Sequence, residues 1–342
     1  MAGATLELLT VPAVFLGGLV GTRLLIGSLT RRNVLDRPNE RSSHAAPVPR
    51  GGGIAVVASI ALGFLWLEFT SEVSNLPDRV MIAVAVALAV LSFLDDLKGL
   101  GPVIRFAAHA AAVAVGMIAL GEEARLFSGV LPDWADITLT ALAWLWFLNL
   151  FNFMDGIDGI SVSETVAICI GLSGLALFGI ASPSVLLYAQ IIAAAALGFS
   201  LWNWHPARIF LGDVGSVPLG FLLGWLLIQT AATHPPASGG WMAVAILPAY
   251  YLADATITLL RRAARGERVW QAHREHFYQQ AVISGRSHDR VCQAILIANA
   301  GLVALALNIA PHWPWPALAA AVFVVAVLLV WMRAPMRWGP RP

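Results

Sequence analysis

Four short polar segments interrupt a chain made mostly of apolar runs: DDLK with Asp95 and Asp96, NLFNFMDGIDG with Asn149, Asn152, Asp155 and Asp158, FLGD with Asp213, and HREH with His273, Arg274 and His276. Carboxylates gathered with amides and imidazoles suit a divalent cation, a general base, or both, because hard oxygen donors bind such ions and crowded carboxylates raise one another's pKa. In DDLK the adjacent acids fit either role, with Lys98 and Arg105 nearby to neutralise them or to hold phosphates. A solvated helix end is the plain alternative. In the second segment the polar residues recur every third position, which on a helix aligns them along one side. Gly156 and Gly159 are placed to end that helix and leave the carboxylates at its mouth. An unpaired row of this kind is costly between hydrocarbon flanks, so chemistry explains it better than an interhelical hydrogen-bond seam.

Asp213 lies between Gly212 and Val214 just before another apolar run. The flanking glycines permit a tight turn, and Ser216 is placed to cap a helix whose free N–H groups could face a phosphate or a metal-bound substrate. Phe210 reads equally as a stack for a nucleobase and as an aromatic at a membrane interface. The loop LDRPNERSSHAAPVPRGGG offers Arg41, His44 and Arg50 as cationic donors for phosphate, and its three glycines let the backbone pass close to a ligand or a helix. A basic loop that merely fixes topology would look similar. The segment 261–290 carries seven arginines, enough to attract a polyanion such as a nucleoside diphosphate. A lipid-binding role would explain the arginines but not His273 and His276.

The elements that must position these groups follow from composition. Hydrophobic residues make up 58% of the 342, charged residues only 12%. A soluble domain carries about twice that charge fraction, so the chain is an integral membrane protein of the all-α class. Apolar runs fall at about 6–29, 53–70, 79–94, 106–120, 137–151, 162–180, 185–202, 217–232, 240–260, 291–310 and 317–332, predicting eleven transmembrane helices. The alternate segments 30–52, 95–105, 203–216, 261–290 and 333–342 hold 18 of the 21 Lys and Arg, so the positive-inside rule makes them cytoplasmic. The N-terminus is then outside, the C-terminus cytoplasmic, and all four polar segments share the cytoplasmic face. The N-terminal stretch lacks the basic start of a signal peptide and is expected to be a retained first span.

A net charge of +1, with no basic tract interleaved with aromatics, argues against nucleic acid as a partner. Cys169 and Cys292 lie inside apolar runs and read as small buried hydrophobes. No repeat or low-complexity linker divides the chain, which is expected to form one domain over 1–342 with its motif-bearing core at about 30–290. A transporter would place its ionisable residues near the bilayer midplane and often shows inverted repeats, whereas these acids sit at span ends.

Taken together, PNERSSHAAPVPRGGG, DDLK, NLFNFMDGIDG, FLGDVGS and HREHFYQ resemble the polyprenyl-phosphate N-acetylhexosamine-1-phosphate transferase family, glycosyltransferase family 4, in order and in placement at span ends from residue 36 to residue 280. The resemblance implies a bundle of ten or eleven helices in the bacterial inner membrane. Its activity would move a sugar 1-phosphate from a UDP-N-acetylhexosamine to undecaprenyl phosphate, with Mg²⁺ or Mn²⁺, releasing UMP. By the same resemblance Asp95 and Asp96 match paired acids near the lipid phosphate, Asp213 and Asn152 the metal site, and Asp155 and Asp158 a second catalytic acidic motif. Lys98 and Arg105 match cations near the phosphates, Phe210 a nucleobase contact, and His273, Arg274 and His276 a loop at the pyrophosphate and sugar. Asn149, Arg41, His44 and Arg50 join the substrate-binding set.

One departure bears on substrate. The branch that handles the muramyl-pentapeptide precursor of peptidoglycan carries three consecutive histidines in the last loop, whereas Arg274 and Glu275 separate His273 from His276 here. The HREHFYQ form looks like the O-antigen-initiating branch, whose donors are UDP-N-acetylglucosamine or a 6-deoxy relative. Asp95 is the favoured base, although a dianionic acceptor phosphate could attack unaided and a covalent aspartyl route is open. The bilayer is an obligatory partner, and a homodimer is compatible with the sequence.

Overall fold

The computed structural model describes residues 2–36, 47–70, 75–269, 271 and 273–335, and the side chains of these except 2–8, 97, 98 and 123. Among them, ten helices are long and apolar enough to cross a membrane, and a pair bent at a short break passes the same test together, as a broken span or a re-entrant loop. In chain order these are α1 (Ala2–Arg31), α2 (Gly53–Thr70), α3 (Leu76–Lys98), α4 (Pro102–Leu120), α5 (Asp133–Phe153), α6 (Ile160–Leu177), α7 (Pro183–Asn203), α8 (Asp213–Ala232), the pair α9 (Gly239–Ile246) and α10 (Ala249–Ala264), then α12 (His288–Asn308) and α13 (Pro314–Arg333). Ten of the eleven apolar runs in the sequence therefore become helices able to span, and the eleventh, 240–260, falls on the bent pair. Three features lie outside that reading: the 64° bend between α9 and α10, the short helix α11 (Phe277–Ile283), and a two-residue antiparallel pair of β1 (Leu35–Asp36) with β2 (Val48–Pro49).

Helix α8 is the axis of the bundle and is almost wholly buried. It is apolar around its whole circumference, as a helix with neighbours on every side must be. It packs on α5, α3, α2 and α9. Against α5 the approach is close: the Trp144 indole stacks on Phe221, and its N–H donates to the Phe221 carbonyl at 3.0 Å. In a bilayer the hydrophobic effect gives little drive between helices, so such fit and a few interhelical hydrogen bonds carry the association. The buried Glu164 of α6 provides one more, accepting from Asn299 of α12 at 2.7 Å.

The N-termini of α2 and α8 meet backbone to backbone. A Cβ on Gly53 would lie 2.3 Å from the Gly215 Cα, so only glycine allows this crossing. The glycine run after β2 thus serves approach to a helix. It brings Arg50 beside the first residue of α8.

Candidate functional site

Asp213 opens α8 because Gly212, at φ +72°, turns the chain into the helix. Its carboxylate meets two guanidiniums: Arg50 at 2.7 Å and Arg105, from the first turn of α4, at 3.6 Å. Arg50 also reaches Asp96 at 3.2 Å, and Arg105 reaches Asp95 at 3.4 Å. Five side chains of alternating sign, Asp95, Arg105, Asp213, Arg50 and Asp96, therefore form an open circuit with Asp213 at its centre and one net negative formal charge. Burial opposes the charge on Arg50, but Asp213 and Asp96 overcome it and raise its pKa further. Asp95 has a second duty: its Oδ1 accepts the Leu100 N–H where α3 ends at Gly99. Lys98 lies in the last turn of α3, with its side chain outside the described part, and Arg41 and His44 lie outside the described residues altogether.

The second acidic segment departs from the helical row that its spacing suggests. Helix α5 stops at Phe153, so Asn149 and Asn152 lie on its last turns while Asp155 and Asp158 lie in the turn beyond. The Asn152 Oδ1 accepts from the Ser216 hydroxyl at 2.6 Å, so Ser216 ties α8 to α5. Asn149 accepts from the His109 ring at 2.9 Å. Asp155 accepts from the Ser161 hydroxyl at 2.7 Å, and burial, tempered by that bond, lifts its carboxyl to about 6. Asp158 turns the other way: His205 lies 2.7 Å and His288 3.2 Å from its Oδ2, and the Ala207 N–H donates to the same atom. Burial would raise its pKa, but those partners outweigh it and hold the group below the usual carboxylate range.

Phe210 is stitched to the Arg50 loop by its backbone. Its N–H donates to the Pro49 carbonyl at 2.8 Å, and its own carbonyl accepts from Gly51 and Gly52.

The last loop is pinned by an acid of α10. Asp254, fully buried, accepts from His276 Nδ1 at 3.1 Å and from the Phe277 and Tyr278 N–H groups at 3.0 and 3.3 Å. The His276 ring lies between His273 and Tyr278. Burial, with His276 and Arg262 alongside, lowers His273 to about 4, so it is a neutral ring near pH 7. Gln280 donates to the Arg274 carbonyl. Several arginines expected to face a polyanion are instead spent on the loop itself: Arg262 holds Glu267 and the Gln271 carbonyl, Arg265 pairs with Glu267 and Glu275, and Arg286 caps α13 at the Trp331 and Ala334 carbonyls. Tyr278 reaches back to the Phe153 carbonyl, joining this loop to the Asp155 turn.

Asp95, Arg105, Asn149, Asn152 and Asp213 line one cavity of about 360 Å³, together with His109. Its remaining walls include Leu91, Val103, Phe106, Phe153 and Val217. The Asp213 carboxylate and the Asn152 amide oxygen are hard donors suited to Mg²⁺ or Mn²⁺. A separate group, Asp158, His205 and His288, could also hold a metal ion, since its potential ligand atoms lie within 4.8 Å of one another. Its imidazoles favour Zn²⁺ or another transition metal over Mg²⁺. Sequence reading passes over His109, His205 and His288 because each stands alone at a span end, and only the fold carries them to Asn149 and Asp158.

A model described as glycosyl transferase family 4 matches residues 79–231. The chain is 30% identical to a decaprenyl-phosphate N-acetylglucosaminephosphotransferase of Mycobacterium leprae, over 87% of this chain and 80% of that protein. It is 26% identical to a probable undecaprenyl-phosphate N-acetylglucosaminyl 1-phosphate transferase of Bacillus subtilis, over 91% and 87%. It is likewise 26% identical to an undecaprenyl-phosphate alpha-N-acetylglucosaminyl 1-phosphate transferase of Escherichia coli, over 82% and 79%.

Proposed function

The chain belongs to glycosyl transferase family 4, and from that premise we propose that it transfers N-acetylhexosamine 1-phosphate from a UDP-sugar to undecaprenyl phosphate, releasing UMP. The observation that carries this reading is the alternating circuit of three carboxylates and two guanidiniums on a cavity with apolar walls. Two phosphorylated anions must meet, so charge neutralisation dominates the chemistry. Arg105 faces the cavity and suits the acceptor phosphate, while the apolar walls suit the first isoprene units. Asp213 and Asn152 would hold a Mg²⁺ or Mn²⁺ ion, which supplies charge stabilisation for the departing UMP. Asp96 and Asp213 hold Arg50, which suits the donor's phosphates, and Phe210, tied to the Arg50 loop, is the candidate nucleobase contact. Asp95 has one oxygen on the Leu100 N–H and the other toward Arg105, which suits a role in fixing Arg105. Asp155 and Asp158 shape the turn that joins this cavity to the last loop.

The Lys and Arg distribution supports an external N-terminus, a cytoplasmic C-terminus and a cytoplasmic site, where nucleotide sugars are found. The HREH form of the last loop favours initiation of an O-antigen or related surface glycan over transfer of the muramyl-pentapeptide precursor. Purified protein incubated with undecaprenyl phosphate, Mg²⁺ and a panel of UDP-sugars tests the reading through UMP release. Release with a single UDP-N-acetylhexosamine supports it, release only with UDP-muramyl-pentapeptide favours the alternative, and none with any donor overturns it.

The HREH segment supports a donor contact at His276. His276→Ala is expected to raise the KM for the UDP-sugar or lower kcat, with little change in the acceptor KM. Asp254→Asn should reproduce that donor effect and also destabilise the fold, because a carboxylate oxygen left without equal replacement among buried N–H groups costs about 1–3 kcal/mol. Initial rates against each substrate and a thermal melt check both. Wild-type donor kinetics with weakened acceptor binding in His276→Ala would move the loop to the acceptor side.

A further inference from the structure

We propose that His109 is a catalytic residue of the transfer, taking the last proton from the acceptor phosphate; this rests on the transferase reading above. His109 follows Arg105 by one helical turn on α4, and both line the cavity that holds Asp95 and Asp213. Residues four apart on a helix share a face, so a phosphate bound by the guanidinium lies beside the imidazole.

The hydrogen bonds fix which ring nitrogen is open. The Asn149 Nδ2 donates to the Leu145 carbonyl at 2.7 Å, so the amide oxygen is the atom turned to His109. That oxygen can only accept, and His109 Nδ1, at 2.9 Å, must carry the hydrogen. In the neutral ring Nε2 is then a bare acceptor. The carboxylates around it are already engaged by cations: Asp95 faces Arg105 on α4, and Asp213 on α8 faces both Arg105 and Arg50. The charged groups that face the ring are Asp95 from α3, Asp213 from α8 and Arg105 on its own helix, and α5 presents the uncharged Asn149 and Asn152.

A phosphate monoester loses its second proton near pH 6, so part of the acceptor arrives as the monoanion. That proton moves to His109 Nε2. The freed oxygen attacks the sugar-bearing phosphorus of the UDP-sugar, the bond from that phosphorus to the bridging oxygen breaks, and the electron pair leaves on UMP. The imidazolium returns its proton to solvent or to UMP as products depart.

His109→Gln keeps an N–H for Asn149 and a similar volume but offers no basic nitrogen. At pH 6 its kcat is expected to fall about 30-fold, within the range of general-base effects. At pH 8.5, where the phosphate is already dianionic, the loss should shrink to about threefold, with the UDP-sugar KM unchanged throughout. An equal loss at both pH values, or no loss at either, would overturn the proposal in favour of a packing role. A second measurement needs neither a variant nor turnover: the ³¹P shift of a short-chain prenyl phosphate bound to the wild-type protein should report the dianion at pH 6, and a bound monoanion would overturn the assignment. Wild-type protein that binds this phosphate but releases no UMP would sink the transferase reading instead, leaving the ³¹P result to decide on His109.

Discussion

Asp213→Asn is expected to lower turnover at least about a hundredfold in a protein that still inserts and folds, and Asp95→Asn to do the same. A hundredfold corresponds to about 2.7 kcal/mol of lost transition-state stabilisation. The structural cost of the first change is smaller, because asparagine keeps the volume and the place at the start of α8, and a helix N-terminus gains only about 0.3–1 kcal/mol from an acid. What is lost is charge at the centre of the circuit: Asp213 opposes both Arg50 and Arg105, and without it the two guanidiniums face each other across a neutral amide. Asp95→Asn frees Arg105 on one side and weakens the Leu100 turn on the other. UMP release from protein eluting as a single species on gel filtration measures both. Near-normal rates in such protein would remove these residues from the chemistry.

Excess EDTA is expected to abolish turnover, and Mg²⁺ or Mn²⁺ to restore it. Only one net negative charge remains in the circuit to receive two phosphorylated substrates, and two guanidiniums cannot neutralise a pyrophosphate and a phosphate together. The two candidate sets separate in the same assay. If the oxygen set is the one that matters, His288→Asn leaves the Mg²⁺ concentration for half-maximal rate unchanged, whereas Asp213→Asn shifts it or removes the response. Full turnover in EDTA would defeat the metal assignment, and a Mg²⁺ response that moves with His288 would transfer it to the Asp158 group.

The spans were legible because a bilayer imposes one demand on every residue within it, and eleven apolar runs meet that demand without reference to any neighbour. The acids at the ends of α3 and α8 were legible for the complementary reason, since charge beside hydrocarbon is rare enough to need an explanation. Partnerships were not legible. Arg50 and Asp213 lie 163 positions apart, and the glycine contact that unites them involves no side chain that a pattern could register. The row from Asn149 to Asp158 misled in one respect, because a threefold spacing continues across a helix end as readily as along a helix. Its members therefore divide between α5 and the following turn. Asp254 is a lone acid within an apolar run, and only the return of the last loop over α10 makes it the support of His276.

The contact of Gly53 with Gly215 sets a rule for how such an enzyme can change its substrate. Two backbones in direct contact have no side chains to exchange, so the separation of Arg50 from Asp213 is a fixed gauge that neither a larger nor a smaller sugar can reset. On the proposed function, donor preference is then rewritten elsewhere, through the replaceable ion pairs among Arg262, Arg265, Glu267 and Glu275. That reading divides the molecule into a rigid end that measures phosphate and an editable end that reads sugar.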